Sequence, residues 1–305
     1  MSEAAGPDAR AAVIAELRRL MPGMPEEDGP RFAAALMAPG PYAPGPDAME
    51  RNVPRGQLLE RHFVSRRVYP SVERTVRLYV PKAPSAARPF SLMVFQDGSR
   101  YLAPEANAAV VFDNLIADGD MPPTVGLFVE PGTNGPGLPI YGGSGNRSIE
   151  YDSIGDTYAR FLIDELIPEL TQGLSIASGP AHRAIAGLSS GGICAFNAAW
   201  ERPDYFGKVL SHCGSFVNIR GGHLLAATVR RMPRKALRVF LQTGERDLDI
   251  LFGSWTLGNR ELASALAYRG YDHQLVVGEG GHSLAHGGAL LPDTLRWLWR
   301  DWRTA

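Results

Sequence analysis

The run RAIAGLSSGGICAF, residues 183–196, leads an apolar segment through small residues into a second apolar segment. Within it, Gly187-Leu188-Ser189-Ser190-Gly191 fits the pattern G-x-S-x-G. That pattern places a serine on a sharp strand-to-helix turn, its hydroxyl exposed for attack on a carbonyl. Glycines two before and two after remove the Cβ atoms that would collide in so tight a turn. The register makes Ser189 the nucleophile and leaves Ser190 to supply a backbone N–H. At a helix start, the dipole and the unpaired donors favour a developing oxyanion. The same letters would also suit a serine that only caps a helix in a Gly/Ser-rich loop.

A serine hydroxyl needs a base, and the base needs an acid to orient it. In the architecture that carries this elbow, the three follow in the order serine, acid, histidine. After the apolar run LRVFLQTG comes Glu245-Arg246-Asp247-Leu248-Asp249, and after DHQLVVGEG comes Gly281-His282. His282 is therefore the expected base. Asp247 is the expected acid, ahead of Asp249 and Glu245, any of which could instead cap the local turn. His286, four residues on, is the rival base, and that spacing also suits a metal. No H-E-x-x-H pattern or metal-rich cluster supports a metal site. A second oxyanion donor is expected after the third strand, where FQDGSRYL offers the Ser99 N–H, with Gly98 as the alternative. A plain strand-ending turn would read the same way.

These residues need a scaffold that ends strands beside one another. HFVSRRVY and RTVRLYVP look like paired strands, with a turn around Pro70–Glu73. Beyond them short apolar strands alternate with helices: FSLMVFQDG, TVGLFVEPG, HRAIAGLS, KVLSHCGSF, LRVFLQTG and DHQLVVGEG are the strands. The alternation predicts an α/β fold, a mainly parallel central sheet with helices on both faces and an antiparallel leading edge. In such sheets the chemistry lies beyond the carboxyl ends of the strands. Residues 1–56 read as a helical extension with a Pro/Gly-rich linker, and 57–305 as the catalytic domain. Two loops, 132–146 and 250–257, are expected to shape the pocket.

Composition narrows the partners. The 305 residues are 45% hydrophobic and 21% charged, with a formal net charge of −1, which argues against nucleic acid. The two cysteines, Cys194 and Cys213, lack disulfide-framework or zinc-site spacing and are expected to be buried thiols. No apolar run approaches the ~18 residues of a membrane span. The first residues carry acids and arginines with no apolar core, unlike a signal peptide, so a cytoplasmic protein is expected.

Taken together, FQDG, NRSIEYD, the long elbow segment through PDYFGKVLSHCGSF, TGERD and GGHS resemble the enterochelin-esterase-like branch of the α/β-hydrolases. That branch includes feruloyl esterases, S-formylglutathione hydrolases and mycolyltransferases. The likeness spans roughly residues 60–302 and implies a serine carboxylic-ester hydrolase using no metal or organic cofactor. It implies Ser189, His282 and Asp247 as the triad, with the Ser190 and Ser99 N–H groups as the oxyanion hole. Arg147 and Glu150 match the R-x-x-E element of enterochelin esterases, either as substrate-binding residues or as a structural ion pair. Trp255, in the loop after the acid, is a candidate aromatic wall, with core packing as its alternative. Enterochelin esterases carry a sizeable N-terminal domain, whereas only about 55 residues precede the core here, so the resemblance alone does not fix the substrate. The implied partner is a small-molecule ester or lactone. An acyltransferase would share the triad, a noncatalytic binding module would leave it idle, and the N-terminal helices could serve assembly into a homo-oligomer.

Overall fold

The computed structural model describes residues 7–82, 88–133 and 146–304. Helices α1 (Pro7–Leu20) and α2 (Asp28–Leu36) come first. Then β1 (Gln57–Val64) and β2 (Glu73–Val80) pair antiparallel, with Gln57 opposite Val80 and Val64 opposite Glu73. Next come β3 (Ser91–Gln96), the short α3 (Gly98–Leu102), α4 (Ala108–Asp118), β4 (Thr124–Val129) and α5 (Arg147–Asp152). Helices α6 (Thr157–Phe161) and α7 (Ile167–Leu170) follow, joined through a π-helical turn.

From there strand and helix alternate: β5 (Arg183–Leu188), α8 (Ser190–Glu201), β6 (Lys208–His212), α9 (Leu224–Arg231) and β7 (Arg238–Gly244). A two-residue hairpin of β8 (Asp249–Ile250) and β9 (Gly253–Ser254) precedes α10 (Trp255–Tyr268), β10 (Asp272–Gly278) and α11 (Leu284–Trp299). The main sheet has eight strands in the order β1-β2-β4-β3-β5-β6-β7-β10. Its first two strands are antiparallel to their neighbours, and the remaining six run parallel. This is the mainly parallel α/β arrangement with an antiparallel edge that the alternation predicts, and the resemblance implies the α/β-hydrolase form of it.

Every residue of β3 and β4 is buried. Both faces of a parallel sheet are covered, so successive side chains feed two separate cores. Leu92 and Val94 join one core with Ile185, Val209 and Leu241, while Met93 and Phe95 join the other with Leu210 and Phe240. Among the described residues no helix is long and apolar enough to cross a membrane.

Three details differ from the sequence reading. The first strand ends at Val64, so Ser65–Val72 forms the turn into β2. Glu165 holds that turn by accepting the N–H groups of Arg66, Arg67 and Val68. Trp255 opens α10 rather than lying in a loop, and helix α5, not recognised from the letters, carries Arg147 and Glu150. Of the loop 132–146, residues 134–145 lie outside the described residues.

Candidate active site

Strand β5 ends at Leu188 and α8 begins at Ser190, so Ser189 is the single residue of the turn. Its φ of 60° and ψ of −121° lie where a residue with a Cβ is strained. Such a conformation costs on the order of 1–3 kcal/mol and persists only where its surroundings over-determine it. Here they do. The Ser189 N–H donates to the His212 carbonyl at 2.9 Å, and its own carbonyl accepts from Gly192, Ile193 and Ser215. A Cβ on Gly187 would stand 2.1 Å from the Gly191 carbonyl oxygen, so the turn closes only over a glycine.

The strand ends bring the other two groups to this hydroxyl. His282 follows β10, and its Nε2 lies 2.9 Å from Ser189 Oγ. His282 Nδ1 lies 2.6 Å from Asp247 Oδ1. With the ring neutral, Nδ1–H donates to Asp247 and Nε2 accepts the Ser189 hydroxyl. Burial pushes the Asp247 carboxyl up. The neighbouring imidazole, the Thr243 hydroxyl and the Leu248 N–H outweigh it and hold the group below its usual range. Thr243 Oγ1 donates to Oδ2 at 2.7 Å, and Leu248 N–H to Oδ1 at 2.8 Å.

The rival residues are turned elsewhere. Glu245 is exposed and pairs with Arg260, and Asp249 is exposed on β8. His286 stacks on Tyr42 with centroids 3.9 Å apart, and its Nδ1 meets Gln242. Among the described residues, Cys213, Asp247 and His282 are the one group whose ligand-type atoms lie within 4.8 Å of one another. The Asp247 and His282 atoms already take part in the hydrogen-bonded relay, and burial pushes the Cys213 thiol well up, away from the thiolate a metal would need.

Trp255 is buried, 2% exposed, with its ring edge-on to His282. Its Nε1–H donates to Ser215 Oγ at 3.0 Å, and Ser215 Oγ lies 3.3 Å from Ser189 Oγ. It therefore stands behind the relay rather than forming an open aromatic wall. Ser215, which the sequence reading missed, takes the Trp255 proton donor and can turn its own hydroxyl toward Ser189. Its only sequence signal is its place just after β6, the strand beside the elbow.

Arg147 and Glu150, three residues apart on α5, do not pair with each other. Arg147 grips Asp97 with two hydrogen bonds of 2.8 and 2.7 Å, beside the elbow, with its side chain 36% exposed. Glu150 turns inward to Arg74 at 2.7 and 3.1 Å, both side chains fully buried. Glu150 thus forms a structural ion pair, with Arg74 rather than with Arg147. Asp152, on the same short helix, is buried as well, with neither carboxylate oxygen hydrogen-bonded among the described residues. Burial pushes its carboxyl up to about 6, against the pull of the Arg147 charge. The Ser99 N–H donates to Glu130 Oε1 at 2.6 Å. An oxyanion using Ser99 would therefore displace the Glu130 carboxylate.

Sheet order and strained elbow are those of the α/β-hydrolase fold, with a hydroxyl–imidazole–carboxylate relay beyond its strand ends. The sequence model of the family described as "Putative esterase" matches residues 69–298, and the chain belongs to that family. An iron(III) enterobactin esterase of Dickeya dadantii is 27% identical over 243 residues, covering 74% of this chain and 52% of that protein. The chain thus spans about half the length of that relative. An endo-1,4-beta-xylanase/feruloyl esterase of Xylanibacter ruminicola is 31% identical over 107 residues, 34% of this chain and 13% of its own length. Among solved structures, the enterobactin esterase of Shigella flexneri superposes with a TM-score of 0.68 at 21% identity, over 86% of this chain and 63% of that one. A ferulic acid esterase gives 0.64 at 19%, over 81% and 99%. At these identities the structural likeness shows the fold alone.

Proposed function

We propose that the protein is a serine carboxylic-ester hydrolase acting through Ser189, His282 and Asp247. The observation that carries this is the continuous relay from Ser189 Oγ to His282 Nε2 at 2.9 Å and from Nδ1 to Asp247 at 2.6 Å. Nε2 takes the hydroxyl proton as Ser189 Oγ bonds to the ester carbonyl carbon. The carbonyl electrons move to oxygen, and the N–H groups of Ser190 and Ser99 donate hydrogen bonds to that oxyanion once Glu130 withdraws. Collapse breaks the ester C–O bond, and the imidazolium returns its proton to the departing alcohol. Water repeats the sequence to release the acid. Asp247 keeps the imidazole in the productive tautomer and stabilises its cation. The chemistry asks for no cofactor.

The relatives' names point to esters of small molecules, and the reading goes as far as a small-molecule ester or lactone. The free, buried Cys194 and Cys213 suit a reducing compartment and support a cytoplasmic setting. We extend the same reading to domain organisation, with 57–305 as catalytic unit and 1–56 as its extension. The test is a panel of p-nitrophenyl, feruloyl and lactone substrates with wild type and Ser189→Ala, beside fluorophosphonate labelling. Wild type should label at Ser189, and the variant should lose labelling and roughly 10⁴-fold or more of its hydrolysis. Hydrolysis that survives in Ser189→Ala overturns the mechanism.

A further inference from the structure

We infer that residues 28–42 form a strap that positions the triad acid and base. This rests on the esterase reading above and assigns the N-terminal segment a part in that site. The contacts fall on the two loops that carry Asp247 and His282. On the histidine side, the Ala35 carbonyl accepts the backbone N–H of His282 itself at 2.8 Å. A Cβ on the preceding Gly281 would stand 1.9 Å from that carbonyl, so the loop is shaped to admit the strap's backbone. Tyr42 closes the same loop from its other end. Its hydroxyl accepts the Glu279 N–H at 2.7 Å, while its ring stacks on His286 at 3.9 Å.

On the acid side, Asp28 accepts the Leu251 N–H at 3.1 Å, and Arg31 donates to the Asp249 carbonyl at 3.3 Å. Arg246, next to the acid, ties both sides together by donating to the carbonyls of Pro39 and Glu279. Beneath these bonds Ala35 and Phe32 share a small core with Leu248 and Trp255. Leu248 follows the acid, and Trp255 holds Ser215 against the nucleophile.

The elbow needs no such help, because β5, β6 and α8 hold Ser189 directly. Asp247 and His282 lie beyond their strands, and each of their loops has the strap along one side. A shift of about 1 Å in a reacting group costs on the order of 10²-fold in rate. Tyr42 and the Ala35 carbonyl are thus positioning groups acting through His282.

The experiment compares full-length wild type, Tyr42→Phe and Tyr42→Ala. It reads kcat and KM on a p-nitrophenyl ester, the fluorophosphonate labelling rate, and amide hydrogen exchange. Tyr42→Ala should lower kcat about 10- to 100-fold with KM within about threefold. Its labelling should slow in parallel, and amides 279–286 should exchange faster while those of 184–192 do not. Tyr42→Phe keeps the stack and loses one hydrogen bond, so it should fall between the two, and it serves should Tyr42→Ala fail to fold. Wild-type kcat per labelled serine in these variants, whatever their melting temperature, overturns the positioning role. A wild type that takes up no fluorophosphonate overturns the esterase reading instead, and the exchange comparison still decides whether the strap holds the histidine loop.

Discussion

Asp247 and Glu150 are both carboxylates with fully buried side chains, each set against one cationic or cation-forming partner. Asp247 faces an imidazole whose far nitrogen reaches a hydroxyl at the site. Glu150 faces a guanidinium that stays charged at any working pH, and both oxygens of the acid are closed against it. Burial and pairing therefore do not mark chemistry by themselves. The partner's ability to give and take a proton, with an open side toward solvent, separates the two corners.

Exchanging each acid for its amide should split rate from stability. Asp247→Asn can present an N–H where the imidazole needs an acceptor, favouring the wrong tautomer. We expect kcat to fall about 10⁴-fold with the fold retained, read by steady-state kinetics and circular dichroism. A loss below tenfold would move the acid role elsewhere. Glu150→Gln should do the reverse. It leaves the Arg74 guanidinium buried without a counter-charge, which costs about 3–5 kcal/mol in urea unfolding, while kcat per folded molecule stays within a few-fold. A raised KM at unchanged stability would restore Glu150 to the substrate.

Asp152 tests a third case, an acid whose carboxyl burial raises without a closely paired cation. Burial raises its folded carboxyl to about 6 from the usual 3.8, so the folded state holds the proton more tightly between those values. Stability from this group is full below 3.8 and is lost as pH rises through about 6. The loss is at most about 3 kcal/mol. Asp152→Asn should flatten that part of the stability–pH curve, and equal slopes in the two proteins would show that Asp152 is ionised throughout.

Much of the site was legible because its signals are local. A strand running into G-x-S-x-G must turn sharply, and the crowding that Gly187 relieves is set by residues four apart. Strand ends before TGERD and GGHS placed an acid and a histidine at the same edge of the sheet. Other parts were not legible, because they depend on contacts across long stretches of chain. Nothing in NRSIEYD says that Arg147 meets Asp97, fifty residues away, or that Glu150 meets Arg74 inside the core. Likewise the Pro/Gly-rich stretch after α2 reads as a linker, yet Tyr42 bonds to Glu279, 237 residues on.

By itself the sequence determined the class of fold, the position of Ser189 in the turn and the order of serine, acid and histidine. Hydrophobic alternation and glycine sterics act over a few residues and leave their mark in the letters. Only the tertiary structure decided which of three neighbouring acids faces His282, that Trp255 and Ser215 stand behind Ser189, and that the N-terminal segment lies along the loops that carry Asp247 and His282. Those outcomes turn on where a side chain points once distant strands pack together, and a carboxylate's letter is the same whether it faces an imidazole, a guanidinium or water.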